Sequence, residues 1–196
     1  MTHVHRADHE ARAHQGLAAL IERERAAKDA FFRSSPEGPI PAAARQSFRG
    51  LAYYPVDLAF RFEGIRLDPY SGSGPSTFQI PTSDGQLRPA RRVGSLRFEL
   101  DAVVHALTAY DLSGEHDHAL FVPFLDATSG TETYGAGRYL DLAPEPDGTY
   151  VLDFNWAYHP YCAYSPEYSC PLTPGENRLP VRINAGERLP GGEAGH

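Results

Sequence analysis

The chain opens on a helical pattern. Between Asp8 and Arg33, Leu17, Leu20, Ile21, Ala27 and Phe31 recur at helical spacing, and Glu22, Arg23, Glu24, Arg25 and Lys28 fill the other face. Ser34-Ser35-Pro36 stops the run. The pattern predicts a helix over 8–35, with residues 1–7 disordered. One amphipathic helix cannot bury its stripe alone, so it must pack on the rest of the chain or on another copy. His3, His5, His9 and His14 precede or open it; they read as a frayed terminus, with metal binding as the alternative.

From Ser47 the pattern changes to short alternating segments. Strands are expected at 58–66, 77–81, 93–100, 103–110, 119–124, 134–142, 149–158 and 179–183. Asp101-Ala102 makes a hairpin turn between two of them, and Asp147-Gly148 marks another. The expected fold is mainly β: an antiparallel β-barrel or sandwich over 36–188, with the N-terminal amphipathic α-helix packed on it and a loose Gly-rich tail over 189–196.

Composition supports two regimes. The chain has 196 residues, with Gly 18 and Pro 17, and of these only Gly16 precedes Pro36. Such breaker density excludes a helical bundle, and the 11 Tyr and 10 Phe argue against disorder in the body. No apolar run is long enough for a membrane helix or a signal peptide, and two cysteines do not staple a secreted scaffold. A cytoplasmic protein is expected. The net charge of −7 argues against a nucleic-acid partner. The basic cluster Arg88, Arg91 and Arg92 reads as a solvated turn, with phosphate binding as the alternative. Lys28 is the only Lys in the chain.

The hairpin expected over 134–158 holds the densest chemistry. A loop over 144–147 sets Arg138 opposite Asp153, on one face with Asn155, Glu132 and Tyr134; Tyr139, Phe154, Trp156 and Tyr158 share the other. The Arg–Asp pair reads either as a structural ion pair or as a ligand-contacting polar patch. Downstream, His159, Cys162 and Cys170 form H-x2-C-x7-C, a possible zinc set with Glu176 or water as fourth ligand. Cys162 is also a candidate nucleophile with His159 nearby, against burial as a small apolar side chain. A disulfide from Cys162 to Cys170 fits the loop length but not a cytoplasmic setting. A third reading is an aromatic pocket of Tyr134, Phe154, Trp156, Tyr158, Tyr161 and Tyr164 with a few convergent polar groups. In it Glu132 and Asp153 are candidate bases, His159 an acid or base, and Arg138 the group for an oxyanion or carboxylate. Dinucleotide, P-loop and nucleophile-elbow motifs are absent; the Gly-bearing turns at 128–130 and 134–137 are weak phosphate candidates.

The stretches FVPFLDATSGTETYGAGRYLDL (121–142) and DFNWAYHPYCAYSPEYSCPLTPGENRLPVRINAGE (153–187) resemble the uncharacterised bacterial and archaeal family known as domain of unknown function 1684. DAFFRSSPEGPI and FRGLAYYPVD resemble it too, so the likeness runs from about Lys28 to Glu187. It implies no reaction and no catalytic residues. The family pattern usually has Asn where His159 stands, and Thr173 and Gly175 interrupt its Pro-Leu-Pro-Pro-x-Glu-Asn run. His159 adds a group that titrates near neutral pH, read either as acquired chemistry or as drift in a loop.

The expected function is that of a small-molecule enzyme without a redox cofactor, of isomerase, cyclase, dehydratase or hydrolase type. Its catalytic candidates are Glu132, Arg138, Asp153, His159 and Cys162, and Tyr134, Asn155, Trp156, Tyr158 and Tyr164 would bind substrate. The rivals are a non-catalytic ligand-binding or flavin-binding barrel, a zinc site at His159/Cys162/Cys170, and an interaction protein whose helix pairs chains as a homodimer.

Overall fold

A computed structural model of the chain describes residues 2–112 and 119–191, with side chains from residue 11 onward. The side chains of His3, His5 and His9 and the tail residues 192–196 lie outside it.

Helix α1 spans Thr2–Ser34, starting earlier than the apolar pattern set it. It packs on the body through Ile21, Arg25, Lys28 and Phe32, a stripe at spacings of four and three. Leu20 and Phe31, expected on the packed face, are exposed. Two cations serve the contact instead. Arg25 donates to the carbonyls of Tyr54 (3.0 Å) and Asn155 (3.3 Å), and Lys28 pairs with Glu187 at 2.5 Å. Burying Ile21 and Phe32 contributes about 2 kcal/mol each. A short helix α2 (Ala42–Arg45) leads into the body.

The body is mainly antiparallel β. Its strands are β1 (Ala52–Tyr53), β2 (Arg61–Ile65), β3 (Leu67–Pro69), β4 (Thr77–Pro81), β5 (Leu87–Leu100), β6 (Val103–Asp111), β7 (Leu120–Phe124), β8 (Arg138–Leu142), β9 (Tyr150–Asp153) and β10 (Glu187–Arg188). One sheet has the order β3-β5-β6-β7-β8, with β4 also on β5; β2-β9 and β1-β10 form two separate pairs. Among the described residues these ladders do not close into a barrel. The β5–β6 turn is Asp101-Ala102 as expected, and both residues have positive φ (53° and 60°).

The hairpin over 134–158 is corrected. Its turn forms, with Glu145 N–H donating to the Thr149 carbonyl at 2.8 Å and Gly148 at φ 80°. Beyond the turn the strands part. β8 pairs with β7, and β9 pairs with β2, where Asp153 faces Arg61. Asp153 then caps a 3-10 turn (Phe154–Trp156) by accepting from Asn155 N–H, which ends the strand and breaks its alternation. Tyr139 and Tyr158 still pair, in an isolated antiparallel bridge. The strand expected over 179–183 is also corrected. Pro180 has no N–H for a ladder, and the segment instead lies beside 125–127, through Leu179 N–H to Leu125 O (2.8 Å) and Ala127 N–H to Val181 O (2.9 Å).

The core lies between β5–β8 and β9. Phe154, freed by the 3-10 turn, sits at its centre with ring centroids 5.1 Å from Phe124 and 5.4 Å from Phe98.

Candidate functional site

Alternation along β8 separates a structural face from an open one. Arg138, Leu140 and Leu142 point inward, and Tyr139 and Asp141 point the other way, where they line a cavity of about 450 Å³. Phe121 of β7 stands across from Asp141, and its ring meets Tyr139 edge-on at 4.7 Å. The Tyr139–Tyr158 bridge brings in Tyr158, whose ring is 5.7 Å from Tyr139. Pro160, Tyr161, Tyr168, Cys170 and Pro171 form another wall, and α1 adds Lys28. Arg88 and Asp111 from β5 and β6 complete the charged lining.

Polar groups converge on Tyr158. Its hydroxyl donates to Asp141 Oδ2 at 2.5 Å, and the Lys28 ammonium stands 5.0 Å from its ring centroid and 5.3 Å from that of Phe32. Burial, with Asp141 alongside, pushes the Tyr158 phenol far above its ordinary value, so it stays protonated at neutral pH. The ammonium is held from behind by Glu187, which is nearly fully buried. The same carboxylate accepts from Tyr164 OH (2.7 Å) and His159 N–H (2.8 Å).

The expected catalytic residues are mostly paired with other groups of the protein. Arg138 is fully buried, paired with Asp126 at 3.4 Å rather than with Asp153, and donates to the carbonyls of Ile183 (2.8 Å), Glu187 (3.2 Å) and Ala185. Asp153 pairs with Arg61 at 2.9 Å. Glu132 binds Arg182 and accepts from Tyr54 OH at 2.9 Å; the Arg182 bond holds its carboxyl below the usual range. Asn155 ties Asp57 to Asp153. His159 is buried, and its Nε2 accepts from Tyr134 N–H at 3.2 Å while Nδ1 faces Glu187 at 3.7 Å. Burial lowers its pKa to about 4, against an opposing pull from Glu187. None of these five groups, Asn155 included, lines the large cavity.

Of the expected aromatic pocket, Tyr158 and Tyr161 line the cavity. Phe154 is core, and Tyr164 packs on Phe32 at 5.3 Å. Tyr134 donates to Cys162 Sγ at 3.9 Å. Trp156 and Asp153 line a smaller cleft of about 230 Å³ where β8 and β9 part. The zinc set does not assemble. His159 Nε2 is taken by Tyr134 N–H, and among the described residues no group of three His, Cys, Asp or Glu is placed to hold a metal. Phe121, Tyr139, Asp141 and Tyr168 were missed, although the Tyr139–Asp141 alternation was legible. Lys28 was missed despite being the only Lys.

Residues 46–188 match the family described as protein of unknown function DUF1684. The chain belongs to this family. The match starts after α1, later than the resemblance near Lys28 implied. The solution NMR structure of the uncharacterized protein from gene locus rrnAC0354 of Haloarcula marismortui is 35% identical, with a TM-score of 0.65. The likeness covers 90% of this chain and 96% of that one. No curated protein matches. No described helix of this DUF1684 chain is long and apolar enough to cross a membrane.

Proposed function

We propose that this DUF1684 protein binds a small, flat, largely apolar molecule in the cavity beside Tyr139 and Tyr158, with Lys28 holding an anionic group of that molecule. The observation that carries the reading is the concentration of Phe121, Tyr139, Tyr158, Tyr161 and Tyr168 around one opening, with an ammonium on its wall. The volume is that of a ligand-sized site. Lys28 has three N–H donors, and one contact to Glu187 leaves others for a ligand. In this reading the sheet is an open barrel, whose seam between β8 and β9 the Tyr139–Tyr158 bridge spans.

The test is a fluorescence titration with 8-anilinonaphthalene-1-sulfonate, a flat apolar body with one anion. Saturable one-to-one binding, weakened about tenfold or more in Lys28→Met, supports the reading. Absence of saturable binding, or equal affinity in a folded Lys28→Met, contradicts it.

The 2.5 Å bond from Tyr158 to Asp141 favours a second reading, an enzyme that moves protons without a redox cofactor. There Asp141 takes the substrate's C–H proton as Tyr158 donates its hydroxyl proton to the substrate oxygen, and Tyr158 is reprotonated from Asp141 across their hydrogen bond. Such a site exchanges acidic C–H protons of bound aromatic acids with D2O, and Asp141→Asn abolishes the exchange. Exchange that persists in the variant removes this reading.

A further inference from the structure

Cys170 lines the cavity and Cys162 follows its lining residue Tyr161; these are the two cysteines of the chain, and the ligand reading uses neither thiol. Cys162 N–H donates to Cys170 Sγ at 3.4 Å. A residue's own nitrogen is two bonds from its Cβ. A sulfur this close to Cys162 N lies beside the arc that Cys162 Sγ sweeps on rotation about Cα–Cβ. Both residues are free cysteines, Cys162 half-buried and Cys170 buried at the cavity.

We propose that Cys162 and Cys170 are a dithiol site that a low-molecular-weight disulfide converts to an intramolecular disulfide. The Cys162 thiolate attacks one sulfur of the small disulfide and expels one small thiolate. Cys170 then loses its proton and attacks Cys162 Sγ, expelling the second. Two protein thiols and one small disulfide become one protein disulfide and two small thiols, with two electrons passing to the oxidant. Burial pushes the Cys170 thiol up to about 11, which makes Cys162, the more exposed group, the first to react. The bond ties the turn at Tyr161–Ala163 to the strand-like stretch at Cys170 and so fixes the wall that presents Tyr161 and Tyr168. The reaction stands whether or not the cavity takes a ligand.

The experiment treats reduced full-length protein with oxidised glutathione and follows intact mass, free-thiol count and a peptide map. The expected product is a monomer lighter by two hydrogens, with no free thiol and a 162–170 cross-link that dithiothreitol reverses. Cys170→Ser stops at a stable glutathione adduct on Cys162, and Cys162→Ser slows modification at least tenfold. A wild-type product that stays a glutathione adduct, keeps both thiols or forms a disulfide-linked dimer overturns the proposal. Modification of Cys162→Ser at the wild-type rate overturns the order of attack.

Discussion

His159 makes stability depend on pH in a window that carboxylates leave free. Its imidazole is buried and neutral, facing Glu187 at Nδ1, with Lys28 and Arg138 adding positive charge nearby. Burial is the dominant cause of its lowered pKa, from the ordinary 6.5 to about 4. The unfolded chain therefore binds a proton that the folded chain refuses as pH falls through this range. Stability is fully present above pH ~6.5 and is lost as pH falls toward ~4. At about 1.36 kcal/mol per pKa unit, the shift is worth about 3 kcal/mol, most of it gone by pH ~4.5. The perturbation is His159→Asn, which keeps a polar side chain and removes the titration. Urea unfolding of both proteins at pH ~7.5 and ~4.5 isolates the term, because Glu132 and Glu176 contribute to both and cancel. The variant should lose about 2–3 kcal/mol less than the wild type between the two pH values. An equal loss in both would refute the claim that His159 is held neutral by burial.

Further consequences concern the buried frame and the turns. Arg138→Met leaves Asp126 without its cation and three carbonyls without a donor, and should cost about 4 kcal/mol in urea unfolding. A loss below about 1 kcal/mol would return Arg138 to the list of site residues. Ala102→Gly relieves a left-handed alanine in the β5–β6 turn. It should stabilise by about 1 kcal/mol, seen as a rise in Tm of about 3 °C.

The legible part of the fold was whatever local periodicity controls. The β5–β6 hairpin followed from Leu96, Phe98 and Leu100 alternating with Arg97 and Glu99, and from a two-residue turn that holds the two strands side by side. The second hairpin looked equally regular, yet its strands part because β2 competes for Asp153 and the same carboxylate caps a 3-10 turn. That choice is made by residues ninety positions apart, which no local pattern reports. The site followed the same logic. A polar cluster in sequence suggested chemistry, but Arg138, Asp153 and Asn155 are the groups that buried backbone needs as partners. Of the alternate face, read as part of an aromatic pocket, Tyr139 and Tyr158 line the cavity, whereas Phe154 is core and Trp156 lines the smaller cleft. Lys28 was hidden because helix periodicity put it with the solvated charges, whereas α1 lies on the body through that edge.

The most direct measurement is a crystal structure with an arylsulfonate such as 8-anilinonaphthalene-1-sulfonate bound. The account predicts the ring against Tyr139, Tyr158 and Tyr161, with a sulfonate oxygen roughly 3 Å from Lys28 Nζ. A ligand seated elsewhere, or a cavity left empty at saturating probe, would contradict it.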